Sequence, residues 1–319
     1  SGVLMVALLG ACGGGSSSDS QSDTSSSSDT SDSSDQSTVT VGTSGSTDGV
    51  VCDYSDVTYN IQESLTYTSE SQWTCSEVQR ELSANGIPDH VVGTFPNPGN
   101  PNVISEQIVS ASFTLEPVAS ATATQLGGPR GVTGYVLNGI KVDAGTGGSC
   151  DDIGTACSLI SNTGSWNIEA LGQTSFDFGT DENNAHVQPD GVYHYHGMPE
   201  GFVEKRGGSS SAMTLIGWAA DGFPIYARYG YSIADDASSE IRVMTGSYQF
   251  VTEVSDSRPS TDTYPLGTFM QDYEYVEGSG DLDECNGRTG VTPEFPDGIY
   301  HYYATDSYPF FQRCVKGVL

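Results

Sequence analysis

Pro189-Asp190-Gly191-Val192-Tyr193-His194-Tyr195-His196 is the stretch on which the reading of this chain turns. Aromatic and β-branched residues dominate it, so it reads as a strand. Successive strand side chains leave on opposite faces, which puts His194 and His196 on one face and Tyr193 and Tyr195 on the other. Just before it, Gln188-Pro189-Asp190-Gly191-Val192 has the chemistry of a three-residue hairpin loop. Pro suits the first corner of a type I turn, and Gly supplies the left-handed residue that closes it. In that register Gln188 opposes Val192 and His186 opposes His194, with opposed Cβ atoms about 4.5–5.5 Å apart. Three imidazoles then leave one face of one hairpin. A four-residue loop would instead move His186 to the tyrosine face.

Neutral imidazoles around an open position suit zinc or copper. His186, His194 and His196 are therefore the expected metal ligands. The competing expectation is a set of buried histidines satisfied by Asn and carboxylate neighbours. His90 is a candidate fourth ligand or supporting group. Asp221, which follows an apolar run, is a candidate for orienting a ligand imidazole or acting as a base. Tyr193 and Tyr195 are expected in the core or in a pocket wall. Asp181-Glu182-Asn183-Asn184 is oxygen-rich enough for calcium, as are Asp281, Asp283 and Glu284, although neither group has EF-hand spacing. Gly127-Gly128-Pro129-Arg130-Gly131 lacks the Lys-Ser/Thr of a phosphate loop, and no nucleophile-elbow sequence is present. These motifs name no catalytic residue and leave open whether the protein is an enzyme.

Composition narrows the class. The chain has 319 residues, of which 16% are charged and 36% hydrophobic, with 39 Gly and 17 Tyr. That mixture predicts a mostly β fold: an antiparallel, sandwich-like domain with long loops and few short helices. Eleven basic residues against 41 acidic ones leave a net charge of −30, which repels phosphate backbones and argues against nucleic-acid binding. The apolar run Val3–Leu9 leads into Leu9-Gly10-Ala11-Cys12, which resembles a bacterial lipobox. Residues 1–12 are accordingly expected to be the end of a lipoprotein signal peptide. Lipidation of Cys12 would tie the chain to the outer membrane, facing the periplasm or the cell surface. Residues 13–49, rich in Ser and Asp, form the expected tether, and residues 50–319 the folded domain. Setting Cys12 aside leaves Cys52, Cys75, Cys150, Cys157, Cys285 and Cys314, an even set that implies disulfides in an exported protein. Among the 15 pairings that six cysteines allow, nearest neighbours (52–75, 150–157, 285–314) are the first expectation.

Along the domain, Tyr54 to Tyr67 is expected to hold a first hairpin. Ser76-Glu77-Val78-Gln79 has capping-box form and predicts a short helix from Glu77 to Ala84, ending at Asn85-Gly86. Gln107 to Leu115 alternates like a strand, and Gly131 to Val142 reads as strand–turn–strand around Asn138-Gly139. Thr214 to Ala220 is apolar enough to be buried on both faces. The histidine stretch also has a second copy: Pro296-Asp297-Gly298-Ile299-Tyr300-His301-Tyr302-Tyr303. There Arg288 and Tyr303 replace two of the three histidines. Extra residues before its turn place Pro293 opposite His301 in the equivalent register, so this copy is expected to be structural.

Several motifs together resemble the YHYH-domain family, whose tetrapeptide is Tyr193-His194-Tyr195-His196 here. Supporting stretches are Asn85-Gly86-Ile87-Pro88-Asp89-His90, Gly134-Tyr135-Val136-Leu137-Asn138-Gly139, Asn184-Ala185-His186-Val187-Gln188-Pro189-Asp190-Gly191, Ala220-Asp221-Gly222-Phe223-Pro224-Ile225-Tyr226, and the segment from Leu282 to Cys314. The resemblance covers roughly Arg80 to the C-terminus. It implies an exported domain with a histidine-centred site, and no named reaction. The leading expectation is a protein binding copper or zinc through three histidines. Its rival is a surface adhesion or carbohydrate-binding module, with tyrosines lining a groove and disulfides and calcium for rigidity.

Overall fold

The computed structural model describes residues 47–319 apart from 61, 63, 64 and 127–130. The lipobox, Cys12, nearly all of the tether and most of the Gly127–Gly131 stretch lie outside the described residues.

Five antiparallel strands open the domain as a meander: β1 (Thr47–Gly49), β2 (Asp53–Tyr59), β3 (Thr68–Cys75), β4 (Gln79–Ala84) and β5 (Val109–Thr114). Burial alternates residue by residue along β2, β3 and β4, the period-two signature of a sheet with one face packed. The first hairpin is wider than expected, because its return strand is β3. The expected helix at Glu77–Ala84 is strand β4. Arg80 and Leu82 are buried while Val78 is 67% exposed, so the pattern fits a strand rather than an i, i+4 stripe. Ser76 does accept the N–H of Gln79 (3.1 Å), but its own N–H donates to the Gln79 carbonyl (2.8 Å). Its hydroxyl thus closes the β3–β4 hairpin instead of starting a helix.

After β6 (Ala119–Gln125) come β7 (Gly134–Val136) and β8 (Lys141–Val142), then the small-sheet strands β9 (Ser149–Cys150), β10 (Cys157–Ser158) and β11 (Trp166–Asn167). The histidine hairpin is β12 (Ala185–Val187) and β13 (Tyr193–Tyr195), followed by the helix α1 (Glu200–Lys205). A central hairpin, β14 (Leu215–Ala219) and β15 (Pro224–Tyr226), follows; β14 is buried at every position. Two-stranded ribbons pair β16 (Tyr229–Tyr231) with β17 (Ile241–Val243), and β18 (Tyr248–Phe250) with β19 (Tyr273–Tyr275). The second-copy hairpin is β20 (Gly287–Gly290) and β21 (Ile299–Tyr303), and β22 (Cys314–Gly317) returns to pair with β6.

An eight-stranded sheet in the order β12-β13-β8-β7-β14-β15-β21-β20 organises the domain. It is mixed, because β13 runs parallel to β8 and β15 parallel to β21. Its order reads as two matching halves meeting between β7 and β14, where Tyr135 opposes Trp218, Gly134 opposes Ala219 and Val136 opposes Gly217. The match extends to sequence: residues 134–144 (GYVLNGIKVDA) align with 217–227 (GWAADGFPIYA). Gly139 and Gly222 take the same left-handed turn conformation (φ +79° and +87°). The repeat visible in the two histidine-bearing hairpins therefore includes the strand pair beside each of them.

The meander and the large sheet share one core, which gives the sandwich-like arrangement. Trp73 donates its indole N–H to the Leu137 carbonyl (2.8 Å), and the Arg80 guanidinium lies 3.3 Å over the Trp218 ring. Disulfides join Cys52–Cys75, Cys150–Cys157 and Cys285–Cys314. A satellite core of Trp166, Ile168, Phe178, Phe269 and Cys150 underlies the β9–β11 sheet.

Candidate metal centre

The β12–β13 hairpin has the three-residue loop. Gly191 donates to the Gln188 carbonyl (2.9 Å), Gln188 donates to the Val192 carbonyl (2.9 Å), and Gly191 sits at φ +86°. His186 consequently opposes His194. The next ladder bond, from His196 N–H to the Asn184 carbonyl (2.8 Å), carries the register one residue further. All three imidazoles leave one face, while Tyr193 and Tyr195, 1% and 0% exposed, enter the main core from the other.

The rings meet at their Nε2 atoms. His196 Nε2 lies 3.0 Å from the Nε2 of both His194 and His186, and the three ring centroids are each 4.7 Å apart. Tetrahedral Zn–N bonds of about 2.0–2.1 Å place ligand nitrogens roughly 3.3 Å apart, so the observed spacing is within a few tenths of a filled site. The three histidines are the one group among the described residues whose donor atoms lie close enough together, within 4.8 Å, to hold an ion. Two tautomers follow from neighbours. His186 Nδ1–H donates to the Phe178 carbonyl (2.8 Å) and His194 Nδ1–H to the Val192 carbonyl (3.2 Å), leaving both Nε2 lone pairs facing the cluster centre. Burial lowers the pKa of all three rings, that of His194 and His196 well below the usual value. The cluster is thus neutral and ligand-ready at pH 7.

The profile of the YHYH protein family matches residues 110–317. This chain belongs to the YHYH protein family. No curated protein and no solved structure matches it. The family tetrapeptide, Tyr193-His194-Tyr195-His196, thus supplies two cluster histidines and, between them, a tyrosine bound into the core.

The core side of the tetrapeptide holds His90. Its Nδ1–H donates to the Val91 carbonyl (2.8 Å), and its Nε2 accepts the Tyr195 hydroxyl (2.5 Å). Asn138 donates to the same hydroxyl (2.9 Å) and to Asp89 (2.8 Å), whose other oxygen binds Lys205 (2.7 Å). His90 is therefore not a fourth ligand: strand alternation puts the side chain it binds on the face away from the three rings. Asp221 does not support the cluster either. It accepts from the Tyr302 hydroxyl (2.6 Å) and Gly317 N–H (2.7 Å), matching in the second half the Asn138–Tyr195 contact of the first. Its carboxyl is raised by burial.

Two of the expected calcium ligands, Asp181 and Asp283, are engaged by backbone N–H and tyrosine donors. Asp181 accepts from Asn183 N–H (2.9 Å), Gly93 N–H (3.0 Å) and the Tyr193 hydroxyl (2.7 Å). Asp283 repeats this with Cys285 N–H (2.9 Å) and Tyr300 (2.9 Å). In the second hairpin Arg288, not Pro293, opposes His301, because the extra residues are accommodated in the loop after β20 and leave the ladder intact. His301 Nδ1–H donates to the Ile299 carbonyl (2.9 Å), its Nε2 accepts the Tyr303 hydroxyl (2.9 Å), and Arg288 reaches that hydroxyl (3.3 Å). A hydroxyl here occupies the place that Nε2 of His196 takes in the first copy.

Sequence reasoning missed two neighbours of the cluster, Lys141 and Asp143, which meet Gln188 of the hairpin there. On β8, Val142 pairs with Tyr195 in the core, so Lys141 and Asp143 leave on the histidine face. Lys141 donates to Gln188 (3.0 Å) and Asp143 (3.3 Å), and Gln188 donates to Asp143 (3.2 Å). Burial raises the Asp143 carboxyl while Lys141 opposes that shift. Only the parallel β8–β13 pairing reveals Lys141 and Asp143, and parallel neighbours leave no local signature in sequence.

Proposed function

We propose that this YHYH protein is an exported, lipid-anchored metal-binding protein whose centre is a zinc or copper ion held by Nε2 of His186, His194 and His196. The observation that carries the reading is the convergence of three ring nitrogens at 3.0 Å spacings, with carbonyls on Phe178 and Val192 committing two rings to the ligating tautomer. The Nε2 lone pairs of His186 and His194 repel one another unless a cation, or an N–H on His196 Nε2, lies between them. Zinc at this place supplies Lewis acidity and copper one-electron exchange. Three disulfides support an oxidising compartment, in keeping with a lipid at Cys12 and an outer-membrane address. The burial of Tyr193 and Tyr195 weighs against a glycan groove lined by them.

Elemental analysis of the protein loaded with zinc or copper and then desalted tests the reading. The wild type retains about one equivalent per chain, His194→Ala and His196→Ala lose it, and His301→Ala keeps it. Equal metal in all four proteins would overturn the assignment. For the anchor, Cys12→Ala releases the protein from the membrane fraction; unchanged fractionation refutes lipidation there.

A further inference from the structure

Two buried polar atoms lie unpartnered next to the histidine cluster. His196 Nδ1 has no hydrogen-bond partner, and neither has Asp143 Oδ1. Both residues are 2% exposed. Leaving buried groups of this kind unpartnered is costly, so two of them at one place call for an explanation. The other two rings of the cluster already have Nδ1 acceptors, the carbonyls of Phe178 and Val192. Only His196 lacks one.

The sheet register makes Asp143 and His196 neighbours across two strands. Tyr195 pairs with Val142 in the parallel β13–β8 ladder, and Asp143 N–H donates to the Tyr195 carbonyl (3.0 Å). Asp143 is therefore the lateral neighbour of His196 on the same face, one strand spacing of about 4.8 Å away. The second half of the sheet gives an independent view of this slot. There Tyr302 pairs with Ile225 and Tyr303 with Tyr226, so Tyr226 occupies the place of Asp143 and Tyr303 that of His196. The Tyr226 ring centroid lies 5.4 Å from that of His301 and 6.3 Å from that of Tyr303. A side chain in this slot thus faces the histidine position. In the half with three histidines the slot holds a carboxylate; in the half without them it holds a phenol.

We propose that Asp143 is the positioning carboxylate of the centre: its Oδ1 accepts the Nδ1–H of His196 and holds that ring with Nε2 free to ligate. Lys141 and Gln188 both bind the other oxygen, Oδ2, which fixes the carboxylate and leaves Oδ1 free. This inference rests on the three-histidine reading above. A ligand imidazole that donates its second N–H to a carboxylate is oriented and made a stronger donor, and loss of such a partner costs about 10–100-fold in metal affinity.

The test uses Zn²⁺ affinity by chelator competition at pH 7 and the imidazole N–H resonances of the zinc-loaded protein. Asp143→Ala is expected to bind zinc about 10–100-fold more weakly. Asp143→Asn, which keeps a neutral acceptor of the same shape, is expected to recover part of that loss. It is also expected to shift the His196 Nδ1–H resonance upfield and to leave those of His186 and His194 in place. Urea titration of both variants without metal confirms that they fold. Zinc binding equal to wild type in both, with the His196 resonance unmoved, would overturn the role of Asp143 while the three-histidine site stands. Loss of an oxygen ligand from the Co²⁺ spectrum of Asp143→Asn would overturn it too, since Asp143 would then be a ligand itself. Absence of both zinc and copper binding in the wild type would remove the centre and the inference together.

Discussion

A histidine ring has two nitrogens, and in this protein the acceptor of one decides the use of the other. Main-chain carbonyls take Nδ1–H of His186, His194 and also His301. In the first hairpin this points lone pairs at one another; in the second, the Tyr303 hydroxyl supplies a proton to Nε2 and the ring is satisfied without an ion. His301 is 0% exposed, and burial lowers its pKa to about 4. Above the unfolded value of about 6.5 both states are neutral and the full stability is present. As pH falls from there towards 4, the unfolded chain takes up a proton that the folded one refuses, so stability declines by about 1.4 kcal/mol per pH unit. Between pH 7 and pH 4.5 the wild type should lose about 2–3 kcal/mol more than His301→Gln, read from urea midpoints. Equal losses would show that this ring titrates normally in the fold.

The hairpin is the element that converts a sequence pattern into a site. Its loop depends on Gly191, whose φ of +86° disfavours other residues and whose added Cβ would lie 1.9 Å from Ser105 Oγ. Gly191→Ala should cost about 1–2 kcal/mol for the backbone alone, with more for displacing Ser105. If the loop gives way, His186 leaves register with His194, so zinc affinity should fall alongside the urea midpoint. A variant as stable as wild type would mean that the loop tolerates another path. The same scale explains the misread helix. Ser76 capping the Gln79 N–H is a local contact shared by helix starts and tight turns, and only the burial of Arg80 and Leu82 on one side of β4 distinguishes them.

At the scale of the molecule, the large sheet is two similar halves back to back, and the meander covers the junction. Trp73, 1% exposed, links the layers by its bond to Leu137 and packs within the meander against Phe113, whose ring centroid is 5.5 Å away. Trp73→Ala should destabilise the domain by about 3–5 kcal/mol in urea. Zinc binding at saturation should survive, because the cluster lies on the other face of the sheet from this core. Loss of the site at temperatures where the variant remains folded would show instead that the meander holds the hairpin in shape. The halves have diverged where chemistry is concerned: His186, His194, His196 and Asp143 on one side correspond to Arg288, His301, Tyr303 and Tyr226 on the other.

Sequence alone determined the turn at Pro189–Gly191, the shared face of His186, His194 and His196, the burial of β14 and the mostly β class. Each rests on alternation or turn geometry, forces that act over a few residues. Tertiary structure alone decided which strand lies beside β13, because a parallel partner 50 or so positions away follows from how the whole sheet is laid out. That choice brought Asp143 and Lys141 to the cluster, while His90 and Asp221 bind tyrosine hydroxyls elsewhere. Likewise the ladder in the second hairpin was preserved at the expense of its loop, setting Arg288 opposite His301, since backbone hydrogen bonds and a packed face outweigh the freedom of a surface connection.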